Sequence, residues 1–141
     1  FLVGEQIASA RWVKKTGLEP LSMAYLVVAP GMAAGKVGQA QPLPRDDPNL
    51  VVSHALAGQY LGMSLIYLEA GSGAKNSVSD NMIQSVKEVI DIPLIVGGGL
   101  RDPDVVYNKV NSGASIIVTG TITEENSSVM KEIANAVHWK D

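Results

Sequence analysis

Four short runs along the chain are almost wholly apolar: Met23 to Ala29, Leu65 to Leu68, Pro93 to Val96 and Ser115 to Thr119. Each is rich in Val, Ile, Leu or Tyr without polar alternation, the pattern of strands covered on both faces of a parallel sheet. Helical periodicity fills the intervals. Asn49 to Leu61 places Val52, Leu56 and Tyr60 near helical spacing. Ser79-Asp80 precedes Met82, Ile83, Val86, Val89 and Ile90, which predicts a capped amphipathic helix. Asp102-Pro103 has the form of an N-cap with Pro at the first helical position, and that helix closes at Ser112-Gly113. A last helix is predicted from about Glu124 to His138, and an opening one from about Val3 to Thr16, ending at Gly17.

The order is therefore one helix followed by four strand-helix units, an α/β chain. Its strand starts lie 42, 28 and 22 residues apart, which are βαβ spacings. Such alternation builds either an open doubly wound sheet or a (β/α)8 barrel, and the barrel needs about 250 residues. At 141 residues, an eight-stranded barrel is incomplete, so residues 1–141 are expected to form a single partial domain.

Composition narrows the chemistry more than the fold. With 14 acidic and 11 basic residues and no run of like charges, the chain lacks the electrostatic footprint of a nucleic-acid binder. The absence of cysteine excludes thiolate-ligated zinc, a thiol nucleophile and a redox role, and agrees with a cytoplasmic setting. The longest apolar stretch, Met23 to Ala34, is broken by Pro30 and Gly31, well short of the roughly 20 residues of a membrane-spanning helix. No segment reads as a secretion signal. Residue 1 is Phe rather than Met, so the chain is expected to begin inside a longer protein.

Glycines cluster immediately after three of the strands: Gly71-Ser72-Gly73, Gly97-Gly98-Gly99, and Gly120 followed by Thr121. All lie at the carboxyl ends of parallel strands and share one face. Glycine there brings backbone N–H groups close to an anion, and the following helix N-terminus adds free donors. A tight turn uses the same glycines. The three clusters together, two of them on the last two strands, point to a phosphate site. A dinucleotide fingerprint fails, because position 76 is Asn and Asp91 precedes a strand rather than ending one.

Glu69 is the most informative single residue. It ends an apolar strand two positions after Tyr67, so both side chains project to the same side. A carboxylate at a strand end beside a phosphate loop can take a proton from a bound hydroxyl, which Tyr67 can hold by hydrogen bonding. A buried glutamate paired with a basic residue is the competing reading. Arg45-Asp46-Asp47, flanked by prolines in a long loop from Pro30 to about Pro48, reads as a helix cap with solvated charge rather than a metal site. Arg45, Lys36 and Arg101 are secondary candidates for a diphosphate. His54 and His138 read as structural, and Trp12 and Tyr60 as packing residues.

Three segments, Tyr67-Leu-Glu-Ala-Gly-Ser-Gly73, Pro93-Leu-Ile-Val-Gly-Gly-Gly-Leu-Arg101 and Gly113-Ala-Ser-Ile-Ile-Val-Thr-Gly-Thr121, resemble the geranylgeranylglyceryl phosphate synthases, archaeal ether-lipid prenyltransferases with bacterial heptaprenylglyceryl phosphate synthases as relatives. Met23-Ala-Tyr-Leu-Val fits as well, and the first of the three segments is the specific part. The resemblance implies a modified (β/α)8 barrel that transfers a prenyl group from a prenyl diphosphate to the C3 hydroxyl of sn-glycerol 1-phosphate, with Mg²⁺. Residue by residue, it implies that Tyr67 and Glu69 are catalytic, meeting the glycerol hydroxyls with Glu69 as proton acceptor. The acceptor site would comprise Tyr67, Leu68, Glu69, Ala70, Gly71, Ser72, Gly73, Gly98, Gly99, Gly120 and Thr121.

The resemblance covers the last four strand-helix units of the family. It implies that the N-terminal half, with the aspartates that bind Mg²⁺, is absent and that no metal ligand lies in this chain. Its other implications are peripheral membrane contact through a lipid substrate or product, and a homo-oligomer that covers the sheet edges. The alternatives are another phosphate-binding barrel enzyme, such as a phosphosugar isomerase, and a half barrel that binds phosphate without turnover.

Overall fold

A computed structural model describes residues 4–138. The chain enters through α1 (Gly4–Thr16), then runs β1 (Met23–Val27), α2 (Met32–Val37), α3 (Pro48–Tyr60), β2 (Leu65–Glu69), α4 (Asp80–Lys87), β3 (Leu94–Gly97), α5 (Pro103–Asn111), β4 (Ile116–Val118), α6 (Thr121–Glu125) and α7 (Val129–Val137). All four predicted strands form, and they pair in parallel in the order β1-β2-β3-β4. That order has no reversal, whereas a doubly wound sheet is defined by one.

Alternation along the strands divides the sheet into two faces. Ile66, Leu68, Leu94 and Val96 turn to one face and pack with Val51, Ala55, Met82, Ile83 and Val86 from α3 and α4 into the main core. Burial of these side chains is the chief favourable term holding helices to sheet, about 1.5–3 kcal/mol for each large aliphatic residue. The opposite face carries two rows set by the register, Tyr25-Tyr67-Ile95-Ile116 and Val27-Glu69-Gly97-Val118.

This second face departs from the expectation of strands covered on both sides. Tyr67 and Ile95 in the middle are 8% and 7% exposed, but Tyr25, Ile116 and Val118 on the outer strands are 45%, 42% and 40% exposed. Strands β2 and β3 each have neighbours on both flanks. β1 and β4 have one; α2 reaches the second face only at Val27, 6% exposed against Gly31 and Gly35, and Tyr25 beside it stays open.

Helix starts follow their caps. Asp47 accepts from the Leu50 N–H ahead of α3, with Pro48 at the first helical position. Ser79 accepts from Met82 N–H at α4, and Asp102 from Asp104 N–H at α5. Two segments differ from the sequence expectation. The loop from Pro30 to Pro48 contains α2, which Gly31 opens without a side-chain cap. The predicted helix from Glu124 to His138 is two helices, because the Asn126 side chain accepts from both the N–H and the hydroxyl of Ser128 and turns the chain there. Val3 lies outside the described residues. Trp12 and Tyr60, expected to pack, are exposed, since no described element covers their side of α1 and α3. His54 takes the expected structural role, its Nδ1 2.8 Å from the Leu50 carbonyl oxygen.

Candidate active site

The carboxyl ends of β2, β3 and β4 converge on a cavity of about 120 Å³, smaller than the roughly 300–1,000 Å³ of drug-sized ligand sites and suited to a small anion. Its wall brings together Tyr67, Glu69, Ser72, Gly73, Gly98, Gly99, Gly120 and Thr121, with Leu100, Arg101, Val118, Thr119 and Ile122 completing it. Eight of the eleven residues expected at the site therefore line one cavity. Leu68, Ala70 and Gly71 do not. Alternation turns Leu68 into the helix-side core and Ala70 is fully buried with it, while the Gly71 N–H is committed to Glu69.

Glu69 is 6% exposed and makes no ion pair among the described residues. Its partners are neutral donors instead of the basic residue that the competing reading supplied. The Gly71 N–H donates to Oε1 at 2.6 Å, and the Tyr25 hydroxyl donates to Oε2 at 3.2 Å. Burial, then the Glu69 charge and its hydrogen bond, push the Tyr25 phenol up to about 12. Burial, and after it the neighbouring Glu69 carboxylate, pushes the Tyr67 phenol up as well. Both tyrosines are therefore protonated at neutral pH and able to donate.

The glycines of β3 and the loop after it make this arrangement possible. A side chain at Gly97 would overlap the Tyr67 hydroxyl, so the bare backbone there is what lets the tyrosine lie across the sheet. Gly98 has φ +83°, and a Cβ would come within 2.5 Å of Glu69 Oε1 and 2.6 Å of the Gly71 nitrogen; only glycine fits this position. Across the cavity mouth, the Ser72 and Thr121 hydroxyls are 3.2 Å apart and link the β2 and β4 loops.

Sequence reasoning missed Tyr25, and it placed Gly97 among the phosphate-loop glycines without its role beneath the Tyr67 hydroxyl. Tyr25 was detectable only with the register, which sets it beside Tyr67 on the next strand. The secondary cations separate. Arg45 is a structural clamp: its guanidinium donates to the carbonyls of Ala29 at 3.1 Å, Asn76 at 3.3 Å, and Ser77, tying the loop after β1 to the loop after β2. Lys36 is exposed in the last turn of α2. Arg101 stays at the cavity, 3.9 Å from the Glu125 carboxylate. Asp47 caps α3, and among the described residues no group of three or more acidic or histidine side chains is arranged to hold a metal ion.

The model of the PcrB family matches residues 1–137. The geranylgeranylglyceryl phosphate synthase of Pyrococcus furiosus is 54% identical over 129 residues, 92% of this chain and 51% of that protein. The enzyme of the same name from Thermoplasma volcanium is 44% identical over 137 residues, 97% of this chain and 54% of that one. The chain thus spans about half the length of the curated relatives it matches. Among solved structures, (S)-3-O-geranylgeranylglyceryl phosphate synthase from Thermoplasma acidophilum in complex with sn-glycerol-1-phosphate superposes with a TM-score of 0.91 at 43% identity, covering 98% of this chain and 56% of that one. The four-stranded parallel sheet, the cavity at its carboxyl end and a family match from residue 1 to residue 137 lead to one assignment: this chain belongs to the PcrB family.

Proposed function

We propose that the chain carries the acceptor half of a geranylgeranylglyceryl phosphate synthase, a prenyltransferase, and forms the C-terminal four strand-helix units of a (β/α)8 barrel. The observation that carries this reading is Glu69, a buried carboxylate with no ion pair among the described residues, at a cavity whose wall includes the main chain of Gly73, Gly98, Gly99 and Gly120. The unreversed strand order supports the barrel, as does the share of the relatives' length that the chain covers. A relative at 43% identity carries sn-glycerol 1-phosphate, which is the acceptor assigned here.

In this reading the phosphate meets N–H groups around Ser72, Gly73, Gly98, Gly99, Gly120 and Thr121. Because α6 is only five residues long, the loop's own N–H and hydroxyl groups supply these contacts. The glycerol lies over Tyr67 and Glu69, and its C3 hydroxyl donates to the carboxylate. The C3 oxygen attacks the allylic C1 of the prenyl diphosphate, a C–O bond forms, and diphosphate departs with the electron pair of the broken bond. The hydroxyl proton passes to Glu69. Both oxygens already accept one hydrogen bond, Oε1 from Gly71 N–H at 2.6 Å and Oε2 from Tyr25 at 3.2 Å, and the longer contact leaves Oε2 the freer to receive it. Groups that hold Mg²⁺ and the prenyl diphosphate lie outside this chain. No helix among the described residues is long and apolar enough to cross a membrane, and contact with lipid is peripheral, through the prenyl chain. The open sheet edges are covered by self-association.

Calorimetric titration with sn-glycerol 1-phosphate tests the reading, with and without Mg²⁺ and with the sn-3 enantiomer and inorganic phosphate as controls. Enantiomer-selective binding that ignores Mg²⁺ is expected. Equal binding of all three anions, or none, would overturn the acceptor site. In a complete enzyme carrying this half, Glu69→Gln is expected to lower kcat by roughly 10²–10⁴-fold, far more than it weakens glycerol phosphate binding. Undiminished turnover would remove Glu69 from its role.

A further inference from the structure

We propose that Tyr25 is a positioning residue for Glu69, and through it a determinant of which glycerol phosphate enantiomer the cavity accepts. This rests on the glycerol phosphate reading above. Tyr25 is not part of the cavity wall, so it acts through the two residues it touches. Its hydroxyl reaches Glu69 Oε2 at 3.2 Å while the Gly71 N–H holds Oε1 at 2.6 Å. The carboxylate is thus gripped at both oxygens and its plane is fixed. The Tyr25 ring meets Tyr67 edge to face, with centroids 4.7 Å apart and planes at 64°, on residues paired in the sheet register. One side chain therefore steadies both groups that face the glycerol.

The two ends of the ligand draw on separate parts of the site. Phosphate is common to both enantiomers and is held by the glycine loops, which Tyr25 does not contact. The enantiomers differ in which hydroxyl is presented to Tyr67 and Glu69. A carboxylate of fixed plane rewards one arrangement and leaves the other with a mismatched polar contact, which is how a buried polar site discriminates. A free carboxylate can turn to meet either.

Tyr25→Phe keeps the ring and removes only the hydroxyl. Calorimetry on the full chain is expected to find the ratio of Kd values for the two enantiomers reduced by roughly tenfold, with Kd for inorganic phosphate changed by less than about twofold. A ratio as large as in the parent would overturn the inference while leaving the acceptor site standing. A parent chain that binds all three anions alike would overturn both. A second measurement does not depend on binding. With ¹³Cζ-tyrosine labelling, the signal missing from Tyr25→Phe is that of Tyr25, and its midpoint is expected near 12 in the parent, moving towards 10 in Glu69→Gln. A Tyr25 signal that titrates near 10 in the parent would mean that the hydroxyl does not hold the carboxylate, and the inference would fall.

Discussion

Glu69 sits in a nearly closed place with no ion pair among the described residues, its carboxyl group held by a backbone N–H and a phenol. The two phenols record that arrangement in the pH dependence of stability. Tyr25 is raised from 10 to about 12 and Tyr67 moves the same way, whereas tyrosines in the unfolded chain ionise near 10. Between those values the unfolded chain holds fewer protons than the folded one, so stability falls as pH rises. The Tyr25 contribution is complete below pH 10 and is lost through the window up to about 12, and that of Tyr67 persists to higher pH. Urea denaturation across that window is expected to fall less steeply in Tyr25→Phe than in the parent; identical slopes would sever Tyr25 from the effect. Gly97→Ala tests the same cluster from below, because its new methyl overlaps the Tyr67 hydroxyl. A loss of about 1–3 kcal/mol in the same denaturation is expected for such overpacking. The pairing of Tyr67 with Glu69 was legible in the sequence, since residues two apart on a strand share a side. The Tyr25 contact was not, because it joins residues 44 positions apart whose meeting depends on the register between two strands.

Strand and helix boundaries were legible wherever a local rule fixes them. Asp102-Pro103 and Ser79 cap the helices they were expected to cap, and Asp102→Ala is expected to cost about 1 kcal/mol in thermal or urea unfolding. Where two local preferences compete, the reading failed. Helix α2 is hidden between Pro30-Gly31 and Gly38 and carries no side-chain cap, and the break at Asn126 comes from a side chain outcompeting the helix for nearby donors. Arg45 was misread for a related reason. Its three acceptors are backbone carbonyls, and no sequence pattern announces a carbonyl. It clamps the loop that ends in α3 against the loop that begins at Gly71, so Arg45→Ala is expected to destabilise the chain by about 1.5–3 kcal/mol. Amide exchange should quicken first around Asn76 and Ser77. Exchange that quickens uniformly instead would mean that the clamp is not local.

At the scale of the molecule, the apolar runs gave the four parallel strands but not how they are covered. An apolar residue reads the same whether its second face is packed or open. Tyr25, Ile116 and Val118 are nearly half exposed on the outer strands, and a sheet with such edges tends to recruit a partner. Sedimentation is therefore expected to give a mass above the 14.9 kDa of one chain. A monomer that binds an apolar dye would leave the face uncovered and count against self-association. The glycine wall of the cavity has a consequence for anyone mapping it. A conventional alanine scan leaves the amide groups in place, so it would register the glycerol end at Tyr67 and Glu69, whereas at Gly98 and Gly99 it adds a Cβ that collides with neighbouring main chain and reports a packing fault instead of a lost anion contact. The anion grip would surface only when the main chain itself is edited, by amide-to-ester exchange at those positions.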